Sequence, residues 1–210
     1  AINELCAKNG IYHISDEAYE YFLHGDARHV SPGSFDGASA HTISLFSLSK
    51  AYGLAGWRVG YSVVPEHLLV AIKKIQDTNL ICPPTICQVA AEAALRVGSD
   101  WCRRQIEGLG EVRDSALKVL SELGDRCSIA VPGGAFYLFL TLQSSQDDMV
   151  LVKQLIEENS VAVLPGSAFG VTIGCSLRIS YGALDAESVI EGVGRLRDGL
   201  DRLLYRRGEI

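Results

Sequence analysis

The chain has 210 residues, 48% of them hydrophobic, and a formal net charge of −6. No apolar run approaches a membrane span, and no Lys/Arg block precedes Arg206-Arg207, so the sequence points neither into a bilayer nor to a nucleic-acid surface. The length suits one large domain or two small ones.

The six cysteines are scattered; Cys82 and Cys87 find no second pair to close a metal site, so no metal is expected. All six read as reduced, mostly buried thiols of a cytosol-like, cytoplasmic compartment. The chain opens at Ala1-Ile2-Asn3 without a Met, already inside an amphipathic helix marked by Ile2, Leu5 and Cys6. The expectation is the C-terminal part of a longer protein, with any targeting segment outside it.

Gly10 ends the first helix. Residues 11–15 read as a buried strand, with Asp16-Glu17-Ala18-Tyr19 at its carboxyl end, where open α/β sheets bind ligands. Glu17 and Glu20 are expected in solvent. Residues 23–40 are polar and Gly-rich and read as a connection with little regular structure, His24 and His29 being surface loop residues. Strands follow at 42–48 and 57–64. Pro65-Glu66-His67 opens a helix with Leu68, Leu69, Ile72 and Ile75 on one side, interrupted at 77–88 by Cys82-Pro83-Pro84. An Ala-rich helix at 89–97 ends at Gly98, and Ser99 or Asp100 caps the next. Residues 101–123 read as one long helix with a stripe of Ile106, Leu109, Val112, Leu117, Leu120 and Leu123. A domain boundary is placed within it, giving domains at 1–107 and 108–210. Beyond Gly124 the pattern is α+β: strands at 128–131 and 136–142 around Pro132-Gly133-Gly134, then a helix at 147–159 with Met149, Val152 and Ile156 inward. Short strands at 161–164 and 176–181 precede a closing helix at 185–204, with Val189, Ile190, Val193, Leu196, Leu200 and Leu203 apolar. Arg178 is a charge on an otherwise apolar strand. From its surroundings alone it reads as an edge arginine, a structural ion pair or a ligand grip.

The segment Ser47-Leu48-Ser49-Lys50-Ala51-Tyr52-Gly53-Leu54-Ala55-Gly56-Trp57-Arg58-Val59-Gly60 carries the chemistry. It places Lys50 in a loop between two strands. A lysine between buried strands must pair, or lower its pKa and become a nucleophile. An amine beside two serine hydroxyls and a guanidinium suits a phosphate-bearing aldehyde: the amine forms a Schiff base, and the other groups hold the phosphate. Across these fourteen positions the chain resembles the lysine-attachment motif of the class I/II aminotransferases, which are fold type I, pyridoxal 5′-phosphate (PLP) enzymes of the aspartate aminotransferase kind.

The resemblance implies an α/β fold: the C-terminal part of a mixed, mostly parallel α/β/α large domain, followed by a small α+β domain. Within it, strand 57–64 runs antiparallel to its neighbours. Lys50 then holds PLP and acts as the general base. Asp16 matches the aspartate on the pyridine nitrogen and Tyr19 the tyrosine on the phenolic oxygen. Ser47, Ser49 and Arg58 match the phosphate anchors. Arg178 matches the arginine that grips the substrate α-carboxylate bidentately. Gly133-Gly134-Ala135-Phe136-Tyr137 and Pro165-Gly166-Ser167-Ala168-Phe169-Gly170 match segments near the cleft. The implied reaction moves an amino group from an L-amino acid to a 2-oxo acid. Aspartate, aromatic amino acids, kynurenine and methionine stay open as donors. Residues 77–95 lack the arginine that animal-type aspartate aminotransferases use for a second carboxylate. A related PLP-dependent C–S lyase or synthase is the alternative, as is a non-catalytic fragment, because the family's first half is absent. A homodimer is expected, with residues 77–88 reaching the subunit interface. The 210-residue chain alone is expected to be inactive and poorly soluble.

Overall fold

Among the described residues, three strands organise the first of two units, Ala1–Ile106, and four the second, Glu107–Ile210. The computed structural model describes residues 1–182 and 185–205.

In the first unit, α1 (Ile2–Lys8) leads to β1 (His13–Asp16), which pairs in parallel with β2 (Thr42–Ser47); β3 (Gly60–Val63) then pairs antiparallel with β2. The buried Asn3 ties the helix to the sheet. Its amide donates to Thr42 Oγ1 at 2.8 Å and lies 3.0 Å from His13 Nδ1, and its side-chain oxygen lies 3.0 Å from His41 Nε2. A residue pointing into the join between helix and strands is stable there only with its polar atoms paired.

The expected buried strand at 11–15 is corrected. β1 starts at His13, and Ile11 and Ile14 are 56% and 62% exposed. β1 is an edge strand, and no described element covers the side chain of Ile14. The connection 23–40 is more organised than its composition suggests. It makes 3₁₀ turns at Pro32–Ser34 and Ala38–Ala40 and buries His24 and Ala38. Gly33 allows this loop to settle on β2, because a Cβ there would sit 2.9 Å from Ser44 Oγ.

A 3₁₀ turn, Glu66–Leu68, opens α2 (Leu69–Asn79); α3 (Thr85–Val97) and α4 (Ser99–Gln105) follow. The prolines at 83 and 84 part α2 from α3, and α3 starts earlier than its apolar pattern indicates. α2 buries none of its residues, so its apolar side faces solvent. Neither Ser99 nor Asp100 caps α4; Ser99 Oγ instead accepts from Arg103 Nη1 at 3.1 Å. The single helix expected over 101–123 is two, α4 and α5 (Leu109–Leu120). Gly108 takes a left-handed conformation (φ 86°) that helical residues avoid, and this ends the run.

In the second unit the sheet runs β4 (Cys127–Ile129), β5 (Tyr137–Leu142), β7 (Cys175–Ser180), β6 (Leu164–Pro165), antiparallel throughout. α5, α6 (Asp148–Asn159) and α7 (Ala186–Leu200) complete it, with a π turn at Asp201–Tyr205. Leu120, Leu138, Leu140, Leu155, Leu177 and Leu196 meet in one core. Asp147 caps α6 by accepting from Val150 N at 2.9 Å. With that start, α6 turns Leu151, Val152 and Leu155 inward, while Met149 and Ile156 face water, contrary to the expected stripe. Ile190 is likewise exposed.

Candidate functional site

Parallel pairing sets the carboxyl ends of β1 and β2 side by side: Asp16 registers with Leu45, and the next N–H, from Glu17, donates to Leu45 O at 2.8 Å. The turn holding Tyr19 therefore leaves the sheet beside the turn holding Ser47, Ser49 and Lys50. β3 runs the other way, with Gly60 opposite Ser47, so Arg58 stands just outside the same end. One antiparallel reversal thus returns Arg58 to the lysine turn.

That turn is held by what it buries. Leu48, Ala51 and Tyr52 are buried, whereas Lys50 between them is exposed. Leu54 N donates to Leu48 O and Gly53 N to Lys50 O, both at 3.1 Å. The Tyr52 ring stacks on Trp101 (6.1 Å between centroids, 6° between planes) and meets Tyr21 edge-on at 6.2 Å. Burial raises the Tyr52 phenol well above its ordinary value, and hydrogen bonding to Tyr21 and Cys102 adds to the rise. The expectation of a lysine between buried strands is corrected: the turn carries Lys50 clear of the sheet.

Lys50 Nζ lies 5.6 Å from the centre of the Tyr19 ring, within reach of a cation–π contact. Asp16 stands at the strand end with Oδ1 accepting from Ala18 N at 3.2 Å, and it is exposed. Asp16 is thus presented to the open end of the sheet. Ser47 Oγ accepts from Ser49 N at 3.2 Å. Arg58 is exposed, holds φ at 51°, and donates from Nη1 to Ala55 O at 2.8 Å. A non-glycine residue in that region costs energy and recurs at functional sites.

Glu17 was expected in solvent and is instead 3% exposed. Its Oε1 accepts from Ser31 Oγ and its Oε2 lies against His29 Nε2, each at 2.7 Å. Burial by itself would raise this carboxyl. Hydrogen bonds from Ser31, His29 and Ser44, with the His29 charge, outweigh burial and hold it below the ordinary carboxylate value. The same contacts remove His29 from the class of free loop residues, and His24 is buried. The available signal was period two: neighbours on a strand end point to opposite faces, so an outward Asp16 sends Glu17 inward.

In the second unit Arg178 sits on β7 between β5 and β6, so it is not on an edge strand. Its guanidinium carbon lies 4.4 Å from the ring centre of Tyr137 and 4.1 Å from that of Phe169. Among the described residues no carboxylate pairs with it. The Phe169 turn, Gly166–Phe169, is tied to the buried Asp148, which accepts from Ser167 N at 2.8 Å and Ser167 Oγ at 2.7 Å. A guanidinium between two rings keeps its donor edge free for a planar anion. The two glycine-bearing segments singled out in the sequence supply those rings. The Asp148 tie gave no sequence signal.

Among the described residues no cluster of His, Cys, Asp and Glu is arranged to hold a metal ion. Only Cys102 and Cys175 are buried, fewer than expected, and Cys82 is exposed.

The description "Aminotransferase class I and II" fits residues 1–196. A probable aspartate/prephenate aminotransferase of Aquifex aeolicus is 36% identical, over 96% of this chain and 52% of its own length. An aromatic aminotransferase of Arabidopsis thaliana is 34% identical, over 97% and 51%. Among solved structures, the aspartate aminotransferase of Rhizobium meliloti superposes with a TM-score of 0.84 at 30% identity, covering 96% of this chain and 52% of its own. The aromatic aminotransferase of Pyrococcus horikoshii gives 0.83 at 31%, covering 96% and 54%. The chain spans about half the length of the curated relatives it matches. The architecture is that of the C-terminal half of the fold type I, aspartate aminotransferase-like enzymes. A lysine turn seated on paired strand ends and an arginine held between rings thus belong to a recognisable lineage, and the chain is a member of the class I and II aminotransferases.

Proposed function

We propose that this chain carries the cofactor lysine and the substrate-carboxylate arginine of a PLP-dependent aminotransferase that moves an amino group between an L-amino acid and a 2-oxo acid. The observation that carries the reading is Lys50 Nζ over the Tyr19 ring, at the sheet end shared by Asp16, Ser47, Ser49 and Arg58. The donor set fits the group: an exposed amine for an aldehyde, a carboxylate for a ring nitrogen, a phenol for a ring oxygen, and two hydroxyls with a guanidinium for a phosphate. When bound, PLP supplies an electron sink for the bond broken at the substrate α-carbon.

The chain's own groups do the rest. Asp16 holds a proton on the ring nitrogen. Tyr19 hydrogen-bonds the phenolic oxygen. Ser47, Ser49 and Arg58 hold the phosphate by charge-assisted hydrogen bonds. Lys50 Nζ would move the α-proton of the substrate. Arg178 orients the substrate through its α-carboxylate. On this reading residues 1–107 are the C-terminal part of the cofactor domain and 108–210 the small domain. Relatives named for aspartate and aromatic donors support those substrate classes. The reading extends to a homodimer in the cytoplasm, with which six free cysteines agree. No helix among the described residues is long and apolar enough to cross a membrane.

The test is borohydride fixation of PLP followed by peptide mapping, on the chain and on the full reading frame that encodes it. The expected result is one adduct, at Lys50, lost in Lys50→Ala together with multiple turnover in the full protein. An adduct that persists in Lys50→Ala, or sustained turnover by that variant, refutes the assignment.

A further inference from the structure

Resting on the reading of Lys50 as the cofactor lysine, we infer that Glu17 is a positioning residue: it pins the β1 exit turn so that Asp16 and Tyr19 are presented to Lys50. Three kinds of contact converge on it. Its N–H donates to Leu45 O at 2.8 Å, locking the strand end to β2. Its carbonyl accepts from Glu20 N at 3.1 Å, closing the turn that contains Tyr19. Its carboxylate, 1% exposed, takes the Ser31 hydroxyl and His29 Nε2 at 2.7 Å each and a third hydrogen bond from Ser44. Those partners come from the 23–40 connection and from the neighbouring strand, so one buried carboxylate joins three segments. The ionisable groups coupled to it are His29, Glu20 and Tyr61.

Among the described residues the Asp16 carboxylate meets only the Ala18 N–H, inside the same turn. The direction of the Asp16 carboxylate is therefore set by the backbone on either side, and Glu17 fixes that backbone. A buried acceptor left with fewer donors destabilises its surroundings, and here the surroundings are the turn that aims the site.

Glu17→Gln keeps the shape, removes the charge and leaves one acceptor oxygen. In Glu17→Gln the Lys50 adduct should still form. PLP binding should weaken about tenfold, and the pH midpoint of the visible absorption band should move. Unchanged affinity and midpoint, with the adduct intact, overturns the inference and leaves the Lys50 reading standing. Failure of the unmodified protein to form the adduct overturns both. Should Glu17→Gln fail to fold, Ser31→Ala removes a single hydrogen bond to the same carboxylate. A shift of band and affinity in the same direction supports the inference, and no shift in a folded Ser31→Ala protein overturns it.

Discussion

The two units hold themselves together by different means. The second closes an apolar core: Leu138, Leu140, Leu177 and Leu196 have no exposed surface, and three helices and a four-stranded sheet supply their neighbours. The first leaves Ile14, Val63, Val70, Ile75 and Ile81 more than half exposed. Its order rests on specific contacts instead: Asn3 on Thr42, Glu17 on Ser31 and His29, Tyr52 on Trp101. The first unit is thus ordered most firmly around the lysine turn and least around its exposed apolar side chains.

The contrast breaks most sharply at buried leucines. Leu196→Ala should cost about 2–5 kcal/mol, whereas Ile75→Ala, at a position 66% exposed, should change stability by less than about 0.5 kcal/mol and improve solubility. Urea unfolding of the two variants checks this, and comparable losses would show that α2 is packed in solution. A smaller effect comes from acid. The Glu17 carboxyl is held below its ordinary value of 4.5, so its contribution is complete above that pH and is lost as pH falls through the lower, folded value. Both tryptophans, Trp57 and Trp101, lie in the first unit, so their fluorescence reports it alone. The melting temperature so followed should fall on acidification, and part of that fall should vanish in Glu17→Gln. The smallest effect is at a cap: Asp147→Ala should cost about 1 kcal/mol by releasing Val150 N, visible in the circular-dichroism melt and silent in tryptophan fluorescence.

What could be read without the structure was local. Whereas the antiparallel return through Gly60 was implied only by the family resemblance, the strand ending near Ser47, the turn carrying Lys50 and the apolar strand with Arg178 follow from alternation, glycine placement and residue type within short windows. So do the helix starts at Asp147 and Asp185, where a carboxylate precedes a helix and accepts the N–H three residues on. The break at Gly108 lay in plain view, but a continuous apolar stripe outweighed a single glycine.

What the sequence alone determined, then, is the order of most elements and the family to which the lysine turn belongs, because backbone sterics, side-chain periodicity and a contiguous motif act over a few residues. Only the tertiary structure decided that Glu17 is buried and Lys50 is not, that Leu151 rather than Met149 faces the core, and that Tyr137 and Phe169 flank Arg178. Each of these depends on a partner far along the chain: His29 for Glu17, Trp101 for the lysine turn, the Asp148-anchored turn for Phe169. Burial and pairing are properties of what arrives from elsewhere in the chain, and no local pattern encodes them.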